Sequence, residues 1–422
     1  MTFNELNISE ELLKALVDLN YTKPTQVQKL SIPIIQDRKD LLAGAETGTG
    51  KTAAFSLPLL DRIHASNVRS EKHAIRAVIL TPTRELCKQI DENVKAYAKY
   101  LPINSMTLYG GVSMVPQLEK LAKGVDVIVA TPGRLFEFLE KKHLTLAKVE
   151  VLVLDEADRM LDMGFVKDIN KIVAFTPKKR QTLLFSATFK KSVKNLAKTI
   201  LKTPIMLETT RSNATAEMVD QIIHPVVCDR KAELISFLIG SKNYQQVLVF
   251  TKTKDSAKEL EKHLMLDGLK CDSIHGDKTQ AARLKALNAF KEGKIRVLVA
   301  TDVVSRGIDI NQLPQVINYE LPTLAEDYIH RIGRTGRAGH KGLAISLICS
   351  EEAKQLNNIE HLIKSKIRVQ AIEGYEPPKK REKHNSEKEL GGRNKKSQES
   401  ESKTPRAKRS NTKKRRVTKR MR

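Results

Sequence analysis

Cysteine is scarce in this sequence: Cys87, Cys228, Cys271 and Cys349 are scattered, with no CxxC pair. That pattern offers no metal-ligand set and no disulfide framework, and it fits reduced thiols in a cytosolic compartment. Long apolar runs are also missing. None approaches the roughly 20 residues that cross a bilayer as a helix. The start, MTFNELNISEELLKAL, is acidic and amphipathic, unlike a secretory signal or a transit peptide. Acidic residues are in deficit, 49 Asp+Glu against 74 Lys+Arg, for a formal charge of +25. Such an excess favours a polyanionic partner, nucleic acid or an anionic surface. An apolar fraction of 40% excludes a wholly disordered chain. A length of 422 residues makes about two to four domains.

What is present is a series of short apolar runs, each ending in a small or polar cluster. Ala77-Val78-Ile79-Leu80 runs into Thr81-Pro82, and Val127-Ile128-Val129-Ala130 into Thr131-Pro132. Val151-Leu152-Val153-Leu154 runs into Asp155-Glu156, and Leu183-Leu184-Phe185 into Ser186-Ala187. They are too short for buried helices and rich in branched residues, as buried parallel strands are. Helix-like stretches such as Arg84–Tyr97 and 114–121 lie between them, so the pattern is an α/β sheet with crossover helices. It restarts after residue 216, with 247–250 before Thr251, 297–300 before Thr301-Asp302, and 343–348 last. The expectation is two lobes of similar plan, 1–207 and 218–375, joined by the polar linker 208–217 (ETTRSNATAE).

Residues 376–422 hold nineteen Lys/Arg against six Glu, with no aromatic and four aliphatic residues, Leu390, Ala407, Val417 and Met421. Such a segment buries too little surface to offset chain entropy. It is expected to be a disordered basic C-terminal tail of charge +13.

In open α/β sheets, ligands bind beyond the carboxyl ends of the strands. The distinctive residues lie at such ends. After Leu41-Leu42-Ala43 comes Ala45-Glu46-Thr47-Gly48-Thr49-Gly50-Lys51-Thr52. Glycines let backbone N–H groups curl round phosphate oxygens, and the following helix start adds its dipole. Lys51 would reach the β- and γ-phosphates, and the Thr52 hydroxyl would hold Mg²⁺. Ala45 stands where GxxxxGK[ST] begins with glycine, and a glycine-rich turn before an ordinary helix is the plainer alternative. The second cluster, Asp155-Glu156-Ala157-Asp158, also follows an apolar strand. Adjacent carboxylates at a strand mouth suit two tasks, Asp155 on the metal and Glu156 polarising a water for in-line attack. An acidic helix N-cap is the plainer alternative here. Both motifs, in this order and each after a strand, indicate an NTP-hydrolysing core. The third cluster, His330-Arg331-Ile332-Gly333-Arg334-Thr335-Gly336-Arg337, belongs to the second lobe, which has no GKT and no Asp-Glu pair. Arg334 and Arg337 are three apart, hence on one face of a helical turn, and could serve as arginine fingers across a lobe interface. Without that context they read as a nucleic-acid patch.

With these motifs in order, residues 3–372 resemble the DEAD-box RNA helicases of superfamily 2. The resemblance implies two RecA-like parallel-sheet domains in tandem, ATP and Mg²⁺ as cofactors, and RNA as partner. Tyr21, Pro24-Thr25 and Gln28 match the Q motif, where the family stacks adenine on the aromatic and reads its amino edge with the glutamine. Asn20 replaces the family's usual glycine, and Gln26 a common proline. The resemblance also places Asp309 near the ribose. Pro82-Thr83-Arg84, Gly110-Gly111, Thr131 and Gly133-Arg134 match RNA-contacting motifs of the first lobe. Thr251, Gln280, Arg283 and Thr301-Asp302 match those of the second. Ser186-Ala187-Thr188 matches the motif that couples hydrolysis to unwinding, through hydroxyl contacts to Asp158, and His330 joins that coupling set. Residues 181–188 and 213–217 are similar to the bacterial RhlE-like branch, while a basic tail is also similar to the SrmB-like one.

The resulting expectation is a monomeric, cytoplasmic ATP-dependent RNA helicase with no membrane association, whose lobes close on ATP and RNA and open a few base pairs non-processively. Contacts to phosphates and 2′-hydroxyls would make it RNA-selective but sequence-blind. Ribosome assembly or RNA decay, with the corresponding proteins as partners, is a family-level expectation. Three alternatives stay open: an ATP-gated RNA clamp or chaperone whose unwinding is incidental, a DNA translocase, and a basic scaffold with a degenerate ATPase. The tail is expected to tether RNA. If about five phosphates engage it, deleting the residues after Tyr375 flattens the log K–log salt slope by about 3–4. ATP turnover at saturating RNA should stay the same; an unchanged slope would remove the tether.

Overall fold

The structure, a computed structural model, describes residues 2–45, 48–66, 74–208, 219–302, 313–336 and 342–377. The first lobe has seven parallel strands: β1 (Leu41–Gly44), β2 (Ala77–Leu80), β3 (Ser105–Leu108), β4 (Val127–Ala130), β5 (Val151–Leu154), β6 (Gln181–Ser186) and β7 (Ile205–Glu208). Its helices are α1 (Glu10–Asp18), α2 (Gln26–Gln36), α3 (Lys51–Ala65), α4 (Arg84–Tyr97), α5 (Val115–Leu121), α6 (Pro132–Glu140), α7 (Ala157–Asp162), α8 (Val166–Ala174) and α9 (Lys191–Ile200). The second lobe has β8 (Val219–Pro225), β9 (Val247–Thr251), β10 (Cys271–Ile274), β11 (Val297–Thr301), β12 (Gln315–Asn318), β13 (Gly342–Ile348) and β14 (Arg368–Val369). Its helices are α10 (Lys231–Ser241), α11 (Lys254–Leu266), α12 (Gln280–Lys291), α13 (Ala325–Ile332) and α14 (Ala353–Ile363). Among the described residues, no helix is long and apolar enough to cross a membrane.

The first sheet runs β3-β4-β2-β5-β6-β1-β7 and the second β10-β11-β9-β12-β13-β8-β14. Adding seven to each number of the first order gives the second, so the two lobes share one topology. Period-two alternation explains why the central runs are apolar throughout. Ala77, Ile79, Val151, Val153, Leu183 and Phe185 face one helical layer. Val78, Leu80, Leu152, Leu154 and Leu184 face the other. Each such side chain stabilises the sheet by about 1.5–3 kcal/mol on burial.

Register brings the loops together. Gly44 pairs with Ser186, and Leu154 with both Leu80 and Leu184, so the chain leaves β1, β5 and β6 at one level. The Ala45 amide donates to the Ser186 carbonyl at 3.0 Å, and the Asp155 amide to the Leu80 carbonyl at 2.9 Å.

Two expectations are corrected. Arg334 does not stand on a helix. α13 stops at Ile332, Thr335 pairs in a bridge with Leu313, and Gly336 turns the chain at φ 67°. Arg334 therefore stands in the turn beyond the helix. Arg337 lies outside the described residues, as do Glu46, Thr47, Asp309, most of the linker and the tail after Pro377. The second correction concerns the thiols. Cys87 and Cys271 are free, but Cys228 and Cys349 form a disulfide. They follow β8 and β13, which pair in parallel up to Pro225 and Ile348, so strand pairing joins residues 121 apart in sequence. Closing so long a loop restricts the unfolded chain and contributes about 2–5 kcal/mol. Reductant should lower the second lobe's denaturant midpoint accordingly, and Cys228→Ser should show the same loss with no further response to reductant.

Candidate nucleotide and nucleic-acid sites

The glycine-rich turn is shaped by close contact. Gly50 has φ 92°, and a Cβ there would land on the Gln28 side-chain amide, which donates to the Gly50 carbonyl at 3.1 Å. The Gln28 oxygen accepts from the Thr25 amide at 2.8 Å, closing a capping box at the start of α2. Gln28 thus ties the segment before α2 to the phosphate loop, with one further N–H and a lone pair left for a ligand. Tyr21 stands partly exposed beside Tyr97, with their hydroxyls 3.2 Å apart.

Lys51 opens α3 and is 5% exposed, yet its ammonium makes no hydrogen bond among the described residues and lies 3.7 Å from Asp155. A buried ammonium in this state is incomplete, and phosphate oxygens would complete it. The residues therefore fit a triphosphate. Asp155 accepts from the Glu156 amide at 2.9 Å. Burial raises its pKa to about 6, against the pull of Lys51 and with a push from Glu156. Glu156 sits at φ 52°, a conformation costly for a residue with a side chain. Burial alone would raise its pKa, but Arg159, Lys51, His330 and Arg334 together hold it below the usual carboxylate range. It is therefore a carboxylate able to accept a proton. Asp158 accepts from the Thr188 amide and hydroxyl at 3.0 and 3.1 Å, while the Ser186 hydroxyl donates to the Thr188 carbonyl.

Lys51, Glu156, Asp158 and Thr188 line one cleft with His330 and Arg334 of the second lobe. These six of the expected catalytic and coupling residues thus meet, while Ser186 is buried behind Thr188 and Arg337 lies outside the described residues. The structure adds residues that the motifs did not single out. Arg159 lies 3.4 Å from Glu156 and donates to the Asp302 carbonyl of the other lobe at 3.5 Å. Arg331, 1% exposed, grips the Asp302 carboxylate through two bonds of 2.6 Å and also binds Asn318 and the Glu320 carbonyl. Arg331 was visible inside the quoted motif; nothing in spacing distinguishes Arg159.

A second cleft, of about 500 Å³, gathers Pro82, Thr83, Arg84, Gly110, Gly111, Thr131, Gly133 and Arg134 with Arg283 of the second lobe. Met163, Phe165, Glu137 and Gly276 line it as well. Glu85 reaches Arg283 across it at 3.5 Å. Other expected nucleic-acid residues lie differently. Thr251 is fully buried and donates to the Thr253 carbonyl, Thr301 is buried, and the Asp302 carboxylate belongs to Arg331. The Gln280 amide is buried with no hydrogen-bond partner among the described residues.

A DEAD/DEAH box helicase profile matches residues 25–196, and a helicase conserved C-terminal domain profile matches 229–339. The ATP-dependent RNA helicase RhlB of Pseudomonas syringae is 42% identical over 370 residues, covering 86% of this chain and 93% of that protein. The chain belongs to the DEAD-box helicase family. The DEAD-box ATP-dependent RNA helicase RhpA of Helicobacter pylori is 40% identical, with 87% of this chain and 74% of that one covered. Among solved structures, S. cerevisiae Dbp5 bound to RNA and ADP BeF3 is 32% identical and superposes with a TM-score of 0.77, over 88% of this chain and 95% of that one. For a point variant of Dbp5 the score is 0.78 with RNA and ADP BeF3, but 0.60 with Nup159, Gle1, IP6 and ADP. The higher score is with the RNA- and ADP BeF3-bound structure.

Gly111 has φ 73°, and a Cβ there would land on the Arg84 guanidinium. Gly111→Ala should weaken RNA binding by about tenfold or more through displacement of Arg84 and about 1–3 kcal/mol of backbone strain. ATP affinity without RNA should be unaltered. A binding titration with labelled RNA checks this.

Proposed function

We propose that this chain is an ATP-dependent RNA helicase that couples ATP hydrolysis to local, non-processive unwinding or remodelling of RNA duplexes and RNA–protein complexes. The observation that carries the reading is the cleft in which Lys51 and Glu156 of one lobe face His330 and Arg334 of the other, with Asp155 behind Lys51 at 3.7 Å.

Thr52 and Asp155 are the residues that would hold Mg²⁺, which when bound supplies charge neutralisation between phosphates. Lys51 supplies its unsatisfied ammonium to the terminal phosphate oxygens of ATP. Glu156, kept anionic by surrounding cations, orients the attacking water and accepts its proton. Arg334 comes from the opposite lobe, so its charge reaches the reacting phosphoryl group only when the lobes are together. Turnover is thereby tied to lobe arrangement. The second cleft also draws on both lobes, through Arg84 and Arg134 on one side and Arg283 on the other. A strand held there would favour the same closed arrangement, and by linkage RNA would tighten ATP binding and ATP would tighten RNA binding. The Asp158–Thr188 bonds connect the acidic motif to the end of β6 and support a coupling role. Tyr21 and Gln28 are proposed for adenine, and Asp309 for the ribose.

We further propose that the chain is monomeric and cytoplasmic and recognises phosphates and 2′-hydroxyls without base sequence. Residues 181–188 favour the RhlE-like branch over the SrmB-like one. Ribosomal particles or RNA-decay assemblies are the proposed setting.

The test measures ATP turnover with no nucleic acid, with RNA and with single-stranded DNA. RNA should stimulate it and DNA should not; equal stimulation would make the protein a DNA translocase instead. Glu156→Gln should bind ATP and RNA but hydrolyse about 10²–10⁴ times more slowly. Arg334→Ala should lose about 10³–10⁵ with ATP binding intact. A Glu156→Gln variant that still supports the physiological task in cells would favour the clamp reading, since release would then matter little.

A further inference from the structure

The N-terminus of α9 breaks a local rule. Its cap position holds Lys190, where Ser, Thr, Asp or Asn satisfies the free amides and where the helix dipole disfavours a cation. Residues that break local preferences need compensation elsewhere. Lys190 finds it in two carboxylates. Its ammonium lies 3.2 Å from Glu326 at the start of α13 in the second lobe, and 4.0 Å from Asp162 at the end of α7 in the first. Lys190 and Glu326 both line the cleft that holds Glu156 and Arg334.

α13 begins at Ala325, with Glu326 in its first turn, and ends at Ile332, two residues before Arg334. Its far end is fixed within the second lobe by the Arg331–Asp302 pair, whose Asp302 carbonyl receives Arg159 of the first lobe. Its near end meets the first lobe through Lys190. The helix carrying Arg334 to the reaction is thus secured against the first lobe near both ends. Since α13 is packed into the second lobe through Tyr328 and Ile332, a single contact would leave the whole lobe, and Arg334 with it, free to pivot.

We propose that Lys190 and Glu326 form an interlobe positioning pair that sets the orientation of α13 in the closed arrangement and so aims Arg334 at the phosphoryl group. The inference rests on the proposed ATP-dependent reaction. The pair touches no reacting atom. It acts on the second lobe's placement, so it bears on turnover and leaves the nucleotide contacts of the first lobe intact. Both side chains are about 30% exposed, so neutral replacements leave the core undisturbed. Their exposure also limits the effect to a modest size.

The experiment is a double-mutant cycle on RNA-stimulated ATP hydrolysis in the full chain, with Lys190→Gln, Glu326→Gln and the pair together. Each single variant should lower kcat about three- to tenfold, with ATP affinity in the absence of RNA unchanged. The double variant should be no slower than the slower single one, and Lys190→Arg should recover most of the rate. Raised salt should slow the wild type more than the double variant. Wild-type kcat in both single variants, or losses that multiply in the double variant, would overturn the pairing. A lowered ATP affinity without RNA would also overturn it, since that places Lys190 in the nucleotide site. The wild type separates the two levels: absence of RNA-stimulated turnover would remove the proposed function and this inference with it. Normal stimulation with unaffected variants would remove the inference alone.

Discussion

The arrangement turns on one unfinished ion pair. Lys51 and Asp155 are both buried, 3.7 Å apart, and Lys51 has no hydrogen bond among the described residues. Removing two charges from water costs several kcal/mol for each, and attraction at that distance returns only part of it. The pair persists because it is attached to strand ends that cannot move independently. β1 leads to Lys51 and β5 to Asp155, and both strands are buried on two faces in one sheet with β6 between them. Glu156 adds a second cost through its left-handed backbone and a third through burial of its charge. Hydrophobic packing of the sheet therefore holds a set of charges that water would otherwise separate. An anionic ligand would relieve one side of that imbalance, the ammonium, which fits the phosphate proposed for the site.

The second lobe shows what the same topology does without that constraint. β8 and β13 occupy the positions of β1 and β6, and the Val226 amide donates to the Ile348 carbonyl at 2.9 Å, as Ala45 does to Ser186 in the first lobe. Beyond this shared junction the first lobe opens into a glycine-rich turn. The second closes with the Cys228–Cys349 disulfide. The place that holds phosphate chemistry in one lobe is covalently pinned in the other, and the second lobe supplies cations through α13 instead. One fold has been used once as a binding site and once as a carrier.

Much of this was legible in the sequence because burial on both faces writes itself as an unbroken apolar run. β2, β4, β5, β9 and β11 were readable for that reason, and so were the motifs attached to their ends. The edge strands were not: β3 alternates Ser105-Met106-Thr107-Leu108 and β14 is exposed, so neither carries the two-sided pattern. α4 matched its expected bounds because Thr83 caps it by accepting from the Leu86 amide. The helical reading of Arg334 failed because Gly333 and Gly336 matter more there than a three-residue spacing. The disulfide and the contacts of Arg159, Lys190 and Glu85 lie between residues 121 to 198 apart or depend on the other lobe. Such pairings are consequences of topology and lobe arrangement, and no local pattern encodes them.

The interface between the lobes follows from the same electrostatics. The first lobe brings Glu156, Asp158 and Asp162 to the cleft beside Lys51 and Arg159, and the second brings His330 and Arg334 beside Glu326 and Asp327. Those charges attract, but they also neutralise one another, which would favour closure without any ligand and waste the switch. Lys190 against Glu326 reverses that polarity at the rim, while Glu85 against Arg283 keeps it, so each lobe presents both signs. Pairs of mixed polarity fix relative orientation more than they add attraction, since a small rotation breaks several at once. On the proposed function, closure would be weak when empty and specific in geometry when filled. The nucleotide and the strand would supply the energy, while the protein's own charges decide the angle at which it is used.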